Sequence, residues 1–280
     1  MKQLFDDVSF KCSKLVTQDY STSFSLAVYM LSPSIRDAIY SIYGFVRFAD
    51  EIVDSFHGYD KENLINDFET EYYKANRSGI SLNPILNSFQ HTVKKYNISD
   101  DLIQAFLKSM KMDLVKLDYN SKDEYQEYIY GSADVVGLMC LKVFVKGNNQ
   151  RYDQLKEEAM RLGSAFQKVN FLRDLKDDNL ILNRNYFPGF DLNTFDENAK
   201  KAIINEIQED FKLAYQGIIK LPIEAKFGVY TAYVYYKKLL NKLENTPYKE
   251  IGNTRIRVSN YTKATLLAQS FVTYKLRLLE

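Results

Sequence analysis

Two pairs of aspartates, each spaced four residues apart, are the first feature of this sequence that could carry chemistry. Asp50 and Asp54 form one pair, and Asp174 and Asp178 form the other. On an α-helix, residues four apart lie on one face, so each pair would present two carboxylates side by side. Apolar residues surround both pairs in the sequence, which indicates that both helices are largely buried. Buried carboxylates need a partner, either a basic side chain or a hard cation such as Mg²⁺, which prefers oxygen ligands.

A polar stripe extends the second pair toward the N-terminus. Gln167 and Asn170 stand seven and four residues before Asp174, on the same predicted helix face. An arginine stands within three residues before each pair, so either pair taken alone could be an ordinary salt bridge. The duplication of the pattern, far apart in one chain, favours two acidic walls that face one cavity. A diphosphate substrate with several Mg²⁺ ions would require such a site.

Composition narrows the class of protein to which these pairs belong. The 280 residues include 46% hydrophobic residues, which is ample for a core, and the net charge of +1 gives no reason to expect binding to nucleic acid. Cys12 and Cys140 have no neighbour at metal or disulfide spacing, which is typical of a reducing cytoplasm. The N-terminus lacks the apolar core of a signal peptide, and the longest apolar run, Val135–Val145, is too short to span a bilayer.

The elements that must position the aspartates are predicted to be helices. Glycine and proline are scarce, and apolar residues recur mostly at helical spacing, so the sequence predicts an all-α protein. We find no linker and no internal repeat beyond the acidic pairs, which predicts one domain over residues 1–280. The predicted helices cover about 3–17, 24–31, 33–56, 60–77, 83–96, 99–117, a segment from 121 onward, 151–180, 195–218 and 222–244, and a last helix follows the basic loop 254–257.

Further motifs, in the same order along the chain, resemble those of the squalene/phytoene synthase family, whose members join two prenyl diphosphates head to head. The resemblance runs from Ser21 to about Lys263, and among family members the chain is most like the bacterial phytoene synthases. The segments that carry it are Ser21-Thr22-Ser23-Phe24, Tyr43 and Arg47 leading into Asp50–Asp54, Met110–Asp113, Tyr128–Gly137, Gln167–Asp178, Arg184–Pro188, and Tyr248 ahead of Arg257 and Val258.

The chain also departs from the family pattern. Thr22 stands where many members have a basic residue, which removes one potential contact to diphosphate. Ile129, Ser132 and Asp134 stand where the motif usually has Cys, Val and Gly. Asp134 is therefore an additional polar group next to the predicted site.

The resemblance implies an isoprenoid-synthase-type helical bundle around a central apolar cavity, and it implies roles for particular residues. Mg²⁺ ions, with Mn²⁺ as a substitute, would be held by Asp50, Asp54, Asn170, Asp174 and Asp178. The four aspartates and Tyr130 would be the catalytic residues. The substrate-binding residues would be Ser21, Ser23, Tyr43, Arg47, Gln167, Asn170, Tyr248 and Arg257.

The expected reaction joins two geranylgeranyl diphosphates into phytoene, through a cyclopropyl diphosphate, in carotenoid biosynthesis and without NADPH. The lack of a membrane helix after Lys263 and of a Gly-rich dinucleotide signature favours a reaction without NADPH. The small Val28 near the predicted tunnel favours a C20 substrate, although Tyr40 could block the tunnel floor and favour C15 substrates. Dehydrosqualene or squalene synthesis from farnesyl diphosphate is the alternative. The protein is expected in the cytoplasm, with peripheral contact to a membrane for release of its lipid product.

Two other functions remain open from the residues. A chain-elongating or cyclising isoprenoid synthase also uses acidic helix pairs, but the elements Tyr128–Gly137 and Arg184–Pro188 argue against it. A catalytically inactive relative that acts as an assembly factor would be expected to lack an aspartate from one pair, and all four are present.

Overall fold

The computed structural model describes residues 1–182, 184–189 and 195–276, apart from the side chain of Leu180. The prediction of an all-α protein is confirmed, because these ranges contain no β-strand and only one isolated β-bridge, between Asp118 and Asn185. The helices are α1 (Lys2–Tyr20), α2 (Thr22–Tyr29), α3 (Pro33–Asp54), α4 (Lys61–Ser78), α5 (Pro84–Tyr96), α6 (Asp100–Met112), α7 (Lys122–Ile129), α8 (Val135–Phe144), α9 (Asn149–Leu180), α10 (Glu197–Ile218), α11 (Ile223–Glu244), α12 (Tyr248–Ile251) and α13 (Asn260–Lys275), and a π-helical turn, Tyr130–Asp134, joins α7 to α8.

Helix α3 carries the first aspartate pair and is buried along most of its length. It starts with Pro33 in its first turn, where the missing N–H of proline costs no hydrogen bond. Its apolar face packs against α1, α5 and α8, and the Phe45 ring stacks on Phe89 with 4.0 Å between ring centroids. Each fully buried aromatic side chain of this kind stabilises the fold by about 1.5–3 kcal/mol. The core therefore fixes the end of α3 from which the aspartates project.

Helix α9 carries the second pair and is the longest element, at 32 residues or about 48 Å. The Asn148 side chain caps its start by accepting the Arg151 N–H at 2.9 Å. One face packs on α8 and another on α10, where Lys168 donates to Asp210 at 2.7 Å. Helices cover the helix on several sides, and its end stands opposite the end of α3.

Helix α6 ends five residues earlier than the sequence predicted. The predicted helix ran to residue 117, but α6 stops at Met112 and the chain turns at Asp113. The Asp113 backbone carbonyl accepts a hydrogen bond from Arg184 at 3.0 Å, and its carboxylate accepts one from Tyr128 at 2.8 Å. These partners come from distant parts of the chain, so local periodicity could not show the break.

The π-helical turn Tyr130–Asp134 was also not predicted. It passes very close to its neighbours: a Cβ on Gly131 would lie 1.8 Å from the Ser109 hydroxyl and 2.8 Å from the Ala105 carbonyl of α6. Turns of this kind are frequent at functional sites, because the extra residue shifts the register of the side chains that follow. The capping box that the sequence predicted at the start of α7 is confirmed, since Ser121 and Glu124 bond each other's backbone N–H groups.

The part of the chain that the structure describes contains no helix that is long and apolar enough to cross a bilayer.

Candidate active site

The two aspartate pairs lie at the ends of α3 and α9 and face one another. Asp50 and Asp54 occupy the last turns of α3, and Asp174 and Asp178 lie near the end of α9. The pKa of Asp178 is raised to about 8, first by burial and then by repulsion from Asp174 and Asp54. Burial and the charge of Asp54 likewise raise the pKa of Asp50. The structure therefore brings all four predicted aspartates into one negatively charged site.

A fifth aspartate joins this site, and we did not single it out from the sequence. Asp113, at the end of α6, is buried, and its pKa is raised to about 7 by burial, against the opposing effects of Arg184 and Tyr128. The Tyr128 hydroxyl donates to one carboxylate oxygen at 2.8 Å, and the other oxygen, although buried, has no hydrogen-bond partner. The available signal was the Met110–Asp113 motif, which we used only to support the family resemblance.

Arg184 joins the segment after α9 to the first aspartate pair. Its guanidinium donates to Asp54 at 2.6 Å and to the Tyr186 hydroxyl at 3.3 Å, and it is almost fully buried. The Tyr186 ring stacks on Phe171 of α9 with 4.1 Å between centroids. This arrangement gives a physical reason for the Arg-x-Tyr spacing, because the arginine neutralises Asp54 while the tyrosine anchors the segment in the core.

The charges at this site do not balance. We define the acidic cluster as Asp50, Glu51, Asp54, Asp113, Asp174 and Asp178. Within the described residues, four guanidinium groups contact it: Arg47 pairs with Asp50 at 2.5 Å and with Glu51, Arg173 and Arg255 pair with Asp174 at 2.8 Å each, and Arg184 pairs with Asp54. Six carboxylates against four guanidinium groups leave an excess of two negative charges when all are ionised, which favours the binding of cations.

An apolar cavity of about 280 Å³ opens beside the cluster. Tyr43, Ser132, Gln167, Asn170 and Tyr236 are polar residues of its wall, Glu158 is a charged one, and the rest is mostly aliphatic and aromatic. This volume approaches the lower end of the roughly 300–1,000 Å³ of small-molecule sites. The predicted central apolar cavity is thus present, and its polar end coincides with the stripe that leads along α9 to the aspartates.

The polar end of the cavity is held by side-chain hydrogen bonds between helices. The Tyr236 hydroxyl of α11 donates to the Asn170 side chain at 3.3 Å, and Gln167 donates to Ser132 at 3.4 Å. Burial raises the pKa of Tyr43 to about 12, so this phenol stays neutral and can donate a hydrogen bond. Tyr236 is a site residue that we missed, because α11 contains several tyrosines and the sequence alone does not show which one faces the cavity.

The two predicted serines lie next to this end of the cavity. The Ser21 side chain caps α2 by accepting the Phe24 N–H at 3.3 Å, and Phe24 in turn stacks on Tyr43 with 4.7 Å between centroids. Ser23 is the second residue of α2 and is half-buried. The structure therefore places both serines at the start of α2, beside the cavity wall rather than in the acidic cluster.

Two of the predicted tyrosines are not brought to the cluster. Tyr130 is 40% exposed, and no described contact joins it to an aspartate. Tyr128 contacts Asp113, and residues two apart on a helix point about 200° from each other, so Tyr130 faces the opposite way. Tyr248 starts α12 and meets Phe195 edge to face, with no described contact to the cluster.

The basic loop before α13 reaches the cluster through a different arginine than expected. Arg257 is exposed, and within the described residues its side chain contacts no carboxylate of the cluster. Arg255, two residues earlier, donates to Asp174. The family resemblance pointed to Arg257 as a substrate-binding residue, and that role stays a prediction, whereas Arg255 is the arginine of this loop that contacts α9.

The residues of the cluster fit Mg²⁺. Carboxylate and amide oxygens are the ligands that Mg²⁺ prefers. The buried Asp113 oxygen has no hydrogen-bond partner and could therefore coordinate an ion. Within the described residues, no three His, Cys, Asp or Glu side chains are grouped closely enough to hold one ion by themselves. Mg²⁺ commonly binds through one or two carboxylates and completes its shell with waters and substrate phosphates, so this spacing suits it.

Sequence comparison shows similarity to squalene and phytoene synthases over most of the chain. The family model of squalene/phytoene synthases matches residues 17–262. A phytoene synthase of Arthrospira platensis is 28% identical, over 92% of this chain and 91% of that protein. A 15-cis-phytoene synthase of Synechocystis is 26% identical, over 92% of this chain and 83% of that protein. The chloroplastic phytoene synthase 1 of Solanum lycopersicum is longer, and this chain covers 66% of it at 25% identity.

Solved structures share the fold. A dehydrosqualene synthase crystallised with a ligand superposes with a TM-score of 0.82 over 96% of this chain and 98% of that one, at 18% identity. A squalene synthase from Alicyclobacillus acidocaldarius superposes with a TM-score of 0.74 over 89% of this chain and 95% of that one, at 20% identity. The predicted isoprenoid-synthase-type bundle is therefore confirmed.

Proposed function

The chain belongs to the squalene/phytoene synthase family and is a prenyltransferase, and on this basis we propose that it joins two geranylgeranyl diphosphates head to head to give phytoene, for carotenoid biosynthesis. The observation that carries the proposal is the placement of two facing aspartate pairs at the polar end of an apolar cavity. This arrangement separates a charged head group from a hydrocarbon chain, as a prenyl diphosphate substrate requires.

The reaction has two steps. In the first, one diphosphate leaves, C1 of that chain bonds to the double bond of the second substrate, and loss of a proton gives a cyclopropyl diphosphate. In the second, the remaining diphosphate leaves, the carbon skeleton rearranges to a 1-1′ linkage, and loss of another proton gives the hydrocarbon. No reductant enters this balance, so NADPH is not needed for phytoene.

Mg²⁺, with Mn²⁺ as a substitute, would be held by Asp50, Asp54, Asn170, Asp174 and Asp178, and would neutralise charge on the departing diphosphate. Asp113, through its free oxygen, is a further ligand candidate. Arg47, Arg173 and Arg255 now pair with the aspartates. With the aspartates occupied by cations, these guanidinium groups become available to bind diphosphate oxygens, for which their planar fork is suited.

The cavity protects the carbocations. Its wall is mostly aliphatic and aromatic, which keeps water away from the reacting carbons. The neutral phenol of Tyr43 and that of Tyr236 line the polar end of the cavity, where the proposed diphosphate would meet its prenyl chain. Each can donate a hydrogen bond to the head group or place its ring against a cation.

The position of Val28 in the cavity wall supports a C20 substrate. Val28 lines the cavity, and its small side chain leaves space for a long chain. Tyr40 is fully buried and is not among the residues that line the cavity. The curated relatives above are phytoene synthases, whereas the solved relatives include dehydrosqualene and squalene synthases, which keeps the farnesyl diphosphate alternative in view.

Product analysis tests the proposal directly. The purified protein is incubated with geranylgeranyl or farnesyl diphosphate, with and without NADPH, and the hydrocarbons are identified by chromatography and mass spectrometry. Phytoene from geranylgeranyl diphosphate without NADPH is the expected result. Dehydrosqualene from farnesyl diphosphate alone would correct the chain length, and squalene that forms only with NADPH would overturn the proposal. Activity is expected to vanish with EDTA and to return with Mg²⁺ or Mn²⁺, and full turnover in EDTA would contradict the metal assignment.

A further inference from the structure

Position 22 lacks the basic residue that many family members have between the two serines of this motif. Thr22 is the first residue of α2, next to Ser21, whose side chain lies beside the Tyr43 hydroxyl. Tyr43 lines the polar end of the cavity and interacts electrostatically with Arg47 and Asp50. The missing charge would therefore have stood near the place where a diphosphate meets its prenyl chain.

A lysine from the other end of the chain occupies this place. Lys263, in the first turn of α13, donates from its ammonium group to the Thr22 hydroxyl at 3.1 Å. Helix α13 packs on α11, and α11 packs on α2, so three helices fix the position of Lys263. Lys263 lies one residue beyond the part of the chain that the family model matches.

Lys263 also lies close to the polar residues of α9 and α11. Its ammonium group stands 5.8 Å from the centre of the Tyr235 ring, which meets Tyr236 edge to face at 5.5 Å. Tyr236 donates to Asn170, as described above. Through Thr22 and Tyr235 the ammonium group is therefore one residue away from Ser21 and from Tyr236 of the cavity wall.

The charge of Lys263 is not neutralised by the protein. Each of the four guanidinium groups at the acidic cluster pairs with a carboxylate, whereas no described residue forms an ion pair with Lys263. Its only described hydrogen-bond partner is a neutral hydroxyl, and a tyrosine ring faces it. An ammonium group in this setting is free to bind an anion.

We propose that Lys263 binds the diphosphate of a prenyl substrate and takes the place of the basic residue that is absent at position 22. The proposal rests on the proposed function for the identity of the substrate. The positive charge would reach the same point of the site from α13 instead of α2. Thr22 then acts as a neutral neighbour that positions the ammonium group through its hydroxyl.

A charge-exchange experiment tests this. Lys263→Met removes the charge and keeps most of the side-chain volume, and Thr22→Lys combined with Lys263→Met moves the charge back to α2. Lys275→Met is the matched control, because Lys275 lies on the same helix and also faces an aromatic ring, that of Phe271 at 5.7 Å, but stands 12 residues or about 18 Å further along. Binding of inorganic pyrophosphate in the presence of Mg²⁺ is measured by calorimetry, and KM and kcat are measured with the prenyl substrate.

Lys263→Met is expected to weaken pyrophosphate binding and to raise KM by about 10- to 100-fold, the range for loss of one charge-assisted hydrogen bond. The double variant is expected to recover at least half of that loss on a logarithmic scale, and the control is expected to stay within about twofold of wild type. Unchanged pyrophosphate affinity in a folded Lys263→Met variant would overturn the proposal, and so would a folded double variant that recovers nothing.

The titration also separates this inference from the proposed function. If the wild-type protein converts neither prenyl diphosphate but loses pyrophosphate affinity on Lys263→Met, the proposed function fails and the binding role of Lys263 is supported. If the wild-type protein forms phytoene and Lys263→Met binds pyrophosphate normally, only the inference about Lys263 fails.

Discussion

Among the four aspartates of the two pairs, Asp178 differs in having no ion-pair partner within the described residues, whereas Asp50, Asp54 and Asp174 each contact an arginine. Its charge is the one that the protein compensates least, and burial together with neighbouring aspartates raises its pKa to about 8. A half-buried carboxylate without an ion-pair partner opposes folding when it is ionised, so its presence is better explained by a bound cation than by stability.

Asp178→Asn should therefore separate activity from stability. The substitution keeps the shape of the side chain but removes a metal-binding charge, and we expect turnover to fall by about 100-fold or more, since loss of residues that only support metal ligands already costs about 10- to 100-fold. The unfolding midpoint in urea, measured without metal, is expected to stay unchanged or to rise, because a half-buried carboxyl group without an ion-pair partner is removed.

Asp177→Asn provides the matched control for this prediction. Asp177 is the neighbouring residue, and its side chain points about 100° away on the same helix. It is expected to retain most of the activity. If Asp178→Asn kept most of its activity at saturating Mg²⁺, the model of two facing metal-binding walls would be wrong.

The two arginines of the basic loop give a second prediction at this scale. The sequence pointed to Arg257, but Arg255 is the residue that contacts Asp174. Arg255→Ala is expected to raise KM for the prenyl diphosphate by about tenfold or more, through loss of one charge-assisted contact. Arg257→Ala, at an exposed position, is expected to stay within about threefold of wild type. Steady-state kinetics of both variants decides between them, and a large effect confined to Arg257→Ala would restore the original assignment.

The sequence showed which residues share a helix face better than it showed which neighbouring helix that face contacts. Spacing within one helix was sufficient to pair Asp50 with Asp54 and Asp174 with Asp178. That Tyr128 contacts Asp113 while Tyr130 does not, and that Tyr236 lines the cavity, depends on which side of a helix faces another helix. That orientation is set by packing between distant segments, such as the contact of Tyr128 with Asp113, and no local pattern encodes it.

At the scale of elements, the sequence indicated most helices because their apolar residues repeat at helical spacing and their caps are explicit. The capping serine of α7 and the proline at the start of α3 both mark real helix starts. The break after α6 and the π-helical turn were missed for a common physical reason. Both occur where distant parts of the chain fix the backbone. Arg184 donates to the Asp113 carbonyl after α6, and α6 and α9 approach the π-helical turn closely.

The close packing of α9 against the π-helical turn can be tested by a substitution. A Cβ on Gly163 of α9 would lie 2.8 Å from the Ala133 carbonyl and 3.0 Å from the Asp134 Cα. In an open helix, Gly→Ala stabilises by about 1 kcal/mol, but overpacking against backbone costs about 1–3 kcal/mol. Gly163→Ala is therefore expected to lower Tm by a few degrees rather than raise it.

This substitution should also reduce activity, because Ser132 and Ala133 of the same turn line the cavity. Lys156→Ala, at an exposed position of the same helix, is the control and is expected to change the unfolding free energy by less than about 0.5 kcal/mol. Tm by calorimetry and turnover are measured for both variants. A more stable, fully active Gly163→Ala variant would show that α9 and the turn do not pack as closely as described.

At the scale of the whole molecule, several exposed apolar side chains lie close in sequence to the aspartates of the acidic cluster. Phe56, Val115 and Ile181 each follow an aspartate of the cluster by two or three residues, and each is exposed. Tyr59 pairs edge to face with Phe56 and lines one surface groove together with Val115. Leu117 is also exposed, and its carbonyl accepts the Asn185 N–H at 2.8 Å. We call these five side chains the apolar rim: Phe56, Tyr59, Val115, Leu117 and Ile181.

We propose that the peripheral membrane contact expected from the sequence would form at the apolar rim. Large apolar side chains from three separate segments are exposed close in sequence to the aspartates where a prenyl diphosphate would bind, and substrates and products with prenyl chains are stored in bilayers. Partial insertion of the rim would bury apolar surface, with a gain of about 25 cal/mol per Å². The acidic cluster would then face the head-group layer, and the hydrocarbon would move between bilayer and cavity with little exposure to water.

Val115→Glu and Ile181→Glu should therefore weaken binding to phospholipid vesicles without unfolding the protein, since both side chains are mostly exposed, at 82% and 67%. Leu82→Glu is the matched control, because Leu82 is 91% exposed in the segment between α4 and α5 and lies away from the acidic cluster. Flotation with neutral phosphatidylcholine vesicles is the measurement. We expect each rim variant to reduce the bound fraction severalfold, and the control to bind like wild type. Because inserting a glutamate into hydrocarbon is far more unfavourable than exposing one to water, equal binding by all four proteins would mean that the rim does not enter the bilayer.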